Sequence, residues 1–168
     1  MEEGGFEMLK NYTTKINFNQ SLIEIEKLLI SIGAKKIIKE YDEQGIPKAV
    51  IFDFELEERR IPVRLPARID RIPEALRRHF NNNKDSGAKY RLKQAMQSPQ
   101  NVGWRILKDW LEANIAIMQL DQINMMEALL PFSVMTNGHT LYELLESHNF
   151  SFKSMAQNIL EDKRTKED

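Results

Sequence analysis

Two neighbouring segments with alternating apolar and polar residues constrain the fold of this chain more than any other feature. Residues 49–56 and 60–65 each place every second side chain on one face, and those side chains are Val50, Phe52, Phe54, Leu56, Ile61, Val63 and Leu65. A two-residue turn at Glu58 and Arg59 would pair the segments so that all of these side chains lie on the same side. The pattern therefore predicts an antiparallel β-hairpin with one buried face.

The other face of this predicted hairpin is charged. The same register places Glu57 opposite Arg60 and Asp53 opposite Arg64, and Glu55 completes a row of carboxylates with neighbours about 7 Å apart. Two of these carboxylates could share a divalent cation. The facing arginines already neutralise the row, so cross-strand ion pairs are the preferred interpretation and no metal site is predicted.

Helical patterns dominate the rest of the chain. Ser21 and Glu24 form a capping box before an apolar helical stripe that ends at Gly33, and Thr140 and Glu143 repeat the box near the C-terminus. Strands are predicted at 12–18 and 36–41, a turn at 42–45, and further helices at 74–80, 100–120 and 121–130. The prediction is an α+β fold with an antiparallel sheet of about four strands, in the order β-α-β-β-β, followed by a helical C-terminal half.

These elements predict a single α+β domain over residues 11–148. Within it, residues 11–66 form the sheet and its helix, and residues 67–148 form a helical part interrupted by a polar, mobile loop at 81–88. Residues 1–10 are predicted to be a flexible lead-in, and residues 149–168 a charged tail.

The composition excludes several kinds of site. The chain has 168 residues and no cysteine, which rules out disulfides, Cys-ligated zinc, iron–sulfur clusters and a thiol nucleophile. His79, His139 and His148 lack metal-binding or catalytic spacing, and no nucleotide-binding or hydrolase motif occurs. No apolar run approaches the ~20 residues that span a bilayer. We predict a cytoplasmic protein with no cofactor, metal, membrane contact or catalytic residue, although an acid–base enzyme using Glu, Asp or Tyr stays open.

Charge is distributed unevenly along the chain. Between Arg59 and Lys108 there are 13 basic and 3 acidic residues, whereas the whole chain has a net charge of −1. A basic middle section thus lies between acidic flanks, which favours a phosphate-bearing ligand. The alternative is a solvated surface on which the basic residues pair with acids of the flanking segments.

Arginine carries the phosphate-binding hypothesis, because its planar guanidinium matches two phosphate oxygens and stays charged. The candidate phosphate-binding residues are Arg60, Arg64, Arg68, Arg71, Arg77, Arg78 and Arg105. Tyr90 or Trp104 could stack on a base. Trp104 and Trp110 lie roughly 120° apart around a helix, so at least one of them is predicted to pack in the core.

Several stretches resemble a family of small proteins that bacteriophages and integrated mobile elements encode. They are residues 11–16, 32–37, 61–67, 104–113 and 138–143, with the sequences NYTTKI, IGAKKI, IPVRLPA, WRILKDWLEA and GHTLYE. The resemblance spans residues 11–146, and the loop at 81–88 and the tail after 150 lie outside it. The family has no settled activity, so the resemblance implies a setting in the host cytoplasm and no catalytic residues.

Three functions fit these observations. The first is binding of nucleic acid, which needs an open basic groove and weakens steeply with salt. The second is sequestering of a soluble nucleotide that a host immune system makes, which needs an enclosed pocket. Both are served by a homodimer or higher oligomer in which two chains share a site. The third is inhibition of a host protein, with the acidic flanks mimicking nucleic acid.

Overall fold

The computed structural model describes residues 11, 14–81 and 87–151. It is an α+β fold in which three strands form an antiparallel sheet in the order β1-β2-β3. The strands are β1 (Lys36–Tyr41), β2 (Pro47–Leu56) and β3 (Arg59–Pro66). The helices are α1 (Phe18–Ser31), α2 (Ile72–Asn81), α3 (Ala88–Gln97), α4 (Pro99–Gln119), α5 (Met125–Leu129) and α6 (Leu141–Ser147).

The strand predicted at 12–18 is wrong for the described part of that range. Residues 14–17 form no strand, and Phe18 already begins α1. Asn17 caps the helix by accepting a hydrogen bond from the Asn19 N–H, so the helix starts one turn before the predicted capping box. Ser21 is a buried residue inside α1. Residues 12 and 13, and the predicted lead-in at 1–10, lie outside the described residues.

The predicted hairpin is confirmed, but its register is wrong by two residues. Phe54 pairs with Ile61 rather than with Val63, because the turn lies at Glu57 and Glu58, one residue earlier than predicted. Both turn residues have positive φ, at 48° and 65°, as in a type I′ turn whose twist matches that of the paired strands. A shift of two residues keeps every side chain on its predicted face.

The new register changes the charged face of the hairpin. Arg60 lies opposite Glu55 instead of Glu57, and Asp53 lies opposite Pro62. Arg64, predicted to face Asp53, lies opposite Ile51 and is therefore available to partners from elsewhere in the chain.

One large core joins the sheet to the helices that flank it in sequence. It contains the following buried side chains of α1, β2, β3, α4 and α5: Leu22, Ile25, Leu29, Val50, Phe52, Phe54, Val63, Leu65, Trp104, Leu111, Ile115 and Leu129. α1 packs along α4, and Gly33 ends α1 with a φ of 90°, as its sequence position predicts. The predicted helix at 100–120 is confirmed as α4 and supplies the centre of this core.

The C-terminal segment extends the outer edge of β3. The Val134 N–H donates to the Pro62 carbonyl at 2.8 Å, and Ser133 bridges antiparallel to Val63. The predicted capping box of Thr140 and Glu143 is present and begins α6. The element predicted at 121–130 is shorter, since α5 covers only Met125–Leu129 and a 3₁₀ helix follows at Leu130–Phe132. The predicted tail lies outside the described residues from 152 onward.

α2 and α3 form a separate helical pair, which we call the basic arm. Its small cluster contains the buried residues Leu76 and Ala95, with Ile72, Leu92 and Met96 packed around them. α3 was not predicted from the sequence, because its apolar face has only three positions. Of the loop predicted at 81–88, residues 82–86 lie outside the described residues. The arm meets α4 at Gly103, where a Cβ would lie 2.6 Å from Ile72 Cδ1.

Within the described residues, no helix has both the length and the apolar character needed to cross a membrane.

Candidate functional site

Arg105 lies where α4 packs on α1, and its guanidinium is already ion-paired. Its Nη1 donates to Glu24 Oε2 at 2.9 Å, and its Nε lies 3.5 Å from Asp109 Oδ1. Hydrogen bonding from Gln20, followed by the charge of Arg105, lowers the pKa of Glu24. Arg105 thus links α4 to α1. A ligand that bound Arg105 would have to compete with Glu24 and Asp109 for its guanidinium.

Lys108 extends the same network along α4. Its Nζ donates to Glu112 Oε2 at 2.6 Å and to Asp109 Oδ1 at 3.3 Å. The hydrogen bond to Glu112 raises the pKa of Lys108, although the ammonium is largely buried. This part of the basic middle section is therefore structural.

Arg64 connects β3 with two elements that are distant in sequence. Its Nε donates to Glu40 Oε2 on β1 at 2.8 Å, and its Nη1 donates to Glu143 Oε1 on α6 at 3.4 Å. Hydrogen bonding with Glu40 raises the pKa of Arg64, and the same bond lowers the pKa of Glu40. Lys48 also contacts Glu40, with its Nζ 3.0 Å from Oε1.

Arg68 has a different environment from Arg64. It follows β3 in the left-handed conformation, with φ 47° and ψ 44°, which is uncommon for a residue other than glycine. Its Cζ lies 5.3 Å from the ring centroid of Tyr142 on α6, a cation–π arrangement. Arg68 is half-buried, and no carboxylate among the described residues forms an ion pair with it.

A pocket of about 460 Å³ opens beside Arg68, between the β1–β2 turn and the end of β3. We call it the Arg68 pocket. Its lining consists of Asp42, Ile46, Lys48, Arg64, Pro66, Arg68, Ile69 and Asp70. The pocket thus gathers two of the predicted arginines, together with Lys48, which sequence reasoning did not select.

Both helices of the basic arm carry exposed cations on their outward sides. Arg77 and Arg78 are exposed on α2, and Lys89, Tyr90 and Lys93 are exposed on α3, on the side away from Leu76 and Ala95. Arg78 Nε lies 3.9 Å from Glu74 Oε1, and both side chains are more than 70% exposed, at 73% and 76%. Tyr90 is 73% exposed, which is unusual for an aromatic residue.

Arg60 and Arg71 complete the predicted set. Arg60 is exposed on the hairpin opposite Glu55, and Arg71 is exposed at the end of the 3₁₀ helix Ile69–Arg71, just before the arm. The predicted arginines therefore fall into separate groups: Arg64 and Arg68 at the pocket, Arg71, Arg77 and Arg78 at or near the arm, Arg105 in the α1–α4 contact, and Arg60 on the hairpin. Their binding roles stay predictions.

Trp104 requires a correction. Its side chain is 0% exposed, and its indole Nε1 donates to the Pro47 carbonyl at 3.2 Å. An enclosed ring has no free face for a base, so the stacking role predicted for Trp104 does not fit its position. Trp110 is half-buried and packs edge-on against Phe132, with ring centroids 5.5 Å apart. Tyr90 is the stacking candidate that remains.

Lys89 and Lys93 were not selected from the sequence as site residues. The signal was present in their spacing, because positions i and i+4 of a helix share a face and Tyr90 lies on the same side. This spacing indicates a shared face only on a helix, and the sequence pattern alone did not predict α3.

Among the described residues, no group of three or more His, Asp or Glu side chains could hold a metal ion. Comparisons with protein-family models, curated proteins and solved structures each find no match to this chain.

Proposed function

We propose that this protein is a non-enzymatic protein of a phage or mobile element, and that it binds nucleic acid through the outward surface of the basic arm. The observation that supports the proposal most directly is the exposure of Lys89, Tyr90 and Lys93 on α3, together with that of Arg77 and Arg78 on α2. Exposed cations beside an exposed aromatic ring are what sequence-tolerant binding of single strands requires.

The arm carries a concentration of positive charge. From Arg71 to Gln97 the sequence has 7 basic and 2 acidic residues, although the whole chain is nearly neutral. On the described part of the arm, the ion pair of Arg78 with Glu74 is long and solvent-exposed, so it is worth little. A phosphate backbone would find these cations largely free of competing carboxylates.

Lys89 and Lys93 repel each other as a like-charge pair on one helix face. An anion placed between them would relieve that repulsion and gain two phosphate contacts. This arrangement favours a linear polyanion over a compact one, because the cations spread along two helices instead of surrounding a cavity.

Tyr90 supplies the aromatic platform in this proposal. Base–aromatic stacking is worth about 1–3 kcal/mol and is available to every base, which makes binding sequence-tolerant. Bases are open for stacking in single strands, so single-stranded DNA or RNA should bind more tightly than duplex DNA.

The test is a salt titration of the binding of a labelled single-stranded oligonucleotide, followed by fluorescence anisotropy. The variant Lys89→Ala/Lys93→Ala should weaken binding and reduce the slope of log K against log salt by about 0.7 for each lost contact. Lys27→Ala/Lys36→Ala is the matched control, because it removes two exposed lysines from α1 and β1. Equal effects of the two double variants would contradict a site on the arm.

Tyr90 can be tested separately. Tyr90→Ala should weaken single-strand binding by about 1–3 kcal/mol, whereas Tyr90→Phe should retain most of the affinity because it keeps the ring. If the wild-type protein shows no salt-dependent binding to either DNA or RNA, the nucleic-acid proposal fails, and sequestering of a soluble nucleotide and inhibition of a host protein are the functions that remain.

A further inference from the structure

The Arg68 pocket is distinct from the basic arm and has the character of a small-molecule site. Its volume of about 460 Å³ lies within the range of ligand pockets. Ile46, Pro66 and Ile69 provide an apolar wall, and the other five lining residues are charged. An apolar wall beside charged groups suits a ligand that joins a ring to an anionic group.

The charged groups of the pocket differ in how far the protein itself uses them. Arg64 is engaged with Glu40 and Glu143, and Lys48 shares Glu40. The Asp42 carboxylate accepts hydrogen bonds from the backbone N–H groups of Gln44 and Ile46, and it thereby stabilises the β1–β2 turn.

Arg68 is the cation of the pocket with the least internal compensation. Its guanidinium rests on the ring of Tyr142, and no acid among the described residues pairs with it. Tyr142 is itself held in place, because its hydroxyl donates to Glu146 Oε1 at 3.2 Å and its ring packs edge-on against Phe150. The guanidinium is thereby oriented while its charge is left for an anion.

The backbone of Arg68 adds an independent observation. A left-handed φ of 47° is strained for an arginine, whereas glycine adopts it freely. Residues held in such conformations cluster at ligand-binding positions, where the surrounding structure enforces them. Glycine would be favoured at this position, and an arginine here is explained if its side chain binds a ligand.

We propose that the Arg68 pocket binds a small organic phosphate of the mononucleotide class. The phosphate would bind Arg68 and Lys48, and the base would lie against Ile46, Pro66 and Ile69. Asp70, which is exposed at the pocket, would accept a hydrogen bond from a donor on the base or sugar. This site does not depend on nucleic-acid binding at the arm.

The variant that tests the proposal is Arg68→Gly. Glycine adopts the left-handed conformation without strain, so this substitution removes the guanidinium while favouring the native backbone. Arg68→Lys keeps the charge without the planar fork, and Arg71→Ala removes an exposed arginine three residues further along as a matched control. Melting temperatures would verify that each variant is folded.

The experiment titrates ¹⁵N-labelled protein with AMP, adenosine and inorganic phosphate separately, and follows backbone amide shifts. AMP should shift the amides of Ile46, Lys48 and Ile69 in a saturable way. Arg68→Gly should weaken AMP binding by about tenfold or more, the effect of losing a charge-assisted hydrogen bond. Arg71→Ala and Lys89→Ala/Lys93→Ala should bind AMP like the wild type.

The outcomes separate this proposal from the one for the arm. Absence of saturable AMP binding, shifts confined to α2 and α3, or undiminished binding by Arg68→Gly would each overturn it. Phosphate binding as tight as that of AMP would overturn the assignment of an organic ligand, because the apolar wall would then contribute nothing. Oligonucleotide binding should be unchanged in Arg68→Gly, so either proposal can fail while the other stands.

Discussion

The body of the molecule, formed by α1, the sheet and α4 to α6, uses basic residues differently from the basic arm. In the body, Arg64 and Arg105 donate to carboxylates that are 79 and 81 residues away in sequence. On the arm, Lys89 and Lys93 face solvent beside Tyr90. A high density of basic residues therefore does not locate an anion site. Whether a basic residue is available to an anion depends on whether folding places a carboxylate from a distant part of the sequence beside it.

The two regions also differ in hydrophobic packing. The core of the body draws buried side chains from five elements, whereas the cluster of the arm has two buried residues. The arm should therefore open more readily than the body.

The largest expected effect is on the free energy of unfolding. A leucine-to-alanine substitution in each region tests the difference in packing. Leu29→Ala should lower the free energy of unfolding by about 4 kcal/mol, because Leu29 is 0% exposed within the large core and its cavity is confined on all sides. Leu76→Ala should cost about 2 kcal/mol, because the small cluster around it can collapse into the gap. Urea denaturation measures the first, and amide hydrogen exchange of α2 and α3 measures the second.

Both tryptophans lie on α4, so tryptophan fluorescence reports on the body. The urea transition seen by fluorescence should shift strongly in Leu29→Ala and only slightly in Leu76→Ala, while exchange on the arm accelerates in the latter. Identical shifts in the two variants would mean that arm and body unfold as one unit.

The next effect concerns the ion pairs of the body. Arg64→Ala should destabilise the protein by about 1–3 kcal/mol, because it leaves the half-buried Glu40 and Glu143 without this partner. Arg77→Ala, at an exposed position on the arm, should change stability by less than about 0.5 kcal/mol. Chemical denaturation at neutral pH measures both values.

The pH dependence of stability provides the control for this ion pair. Folding lowers the pKa of Glu40, chiefly through the hydrogen bond from Arg64, so its contribution is complete above the unfolded value near 4.5. That contribution is lost as pH falls from about 4.5 through the lower folded pKa. Arg64→Ala should flatten this acid-side loss, and an unchanged profile would contradict the assigned cause.

The sequence predicted most of the body because its signals there are local. Alternation in β2 and β3 predicted the hairpin face, and the capping box at Thr140 predicted the start of α6. The register of the hairpin was missed, because Glu57 and Glu58 both adopt positive φ without the glycine or asparagine that usually marks such a turn. The strand at 12–18 was predicted from an alternation too short to distinguish it from an irregular lead-in.

The candidate sites were harder to predict, because their defining contacts are between residues far apart in sequence. Nothing local to Arg105 shows that Glu24 will neutralise it, and nothing local to Arg68 shows that Tyr142 will support it. Tyr90 and Trp104 are both aromatic residues within the basic section, yet one is exposed and the other is in the core. Only packing separates them.

The smallest expected effect on stability comes from replacing an acidic residue of the arm. Glu74→Gln should change the free energy of unfolding by less than about 0.5 kcal/mol, because its ion pair with Arg78 is long and exposed. Removing this carboxylate should nevertheless strengthen oligonucleotide binding severalfold, because it removes a negative charge that repels phosphate at the arm. Denaturation and fluorescence anisotropy on the same variant measure the two effects.

Glu40→Gln is the matched substitution in the body, because Glu40 also pairs with an arginine but is half-buried. It should lower stability and leave oligonucleotide binding unchanged, which is the opposite of the result expected for Glu74→Gln. If both variants bind oligonucleotide more tightly by the same factor, net charge alone controls affinity and the arm has no special role. If only Glu74→Gln gains affinity, the acids that the fold places beside each cation determine which cations bind a ligand.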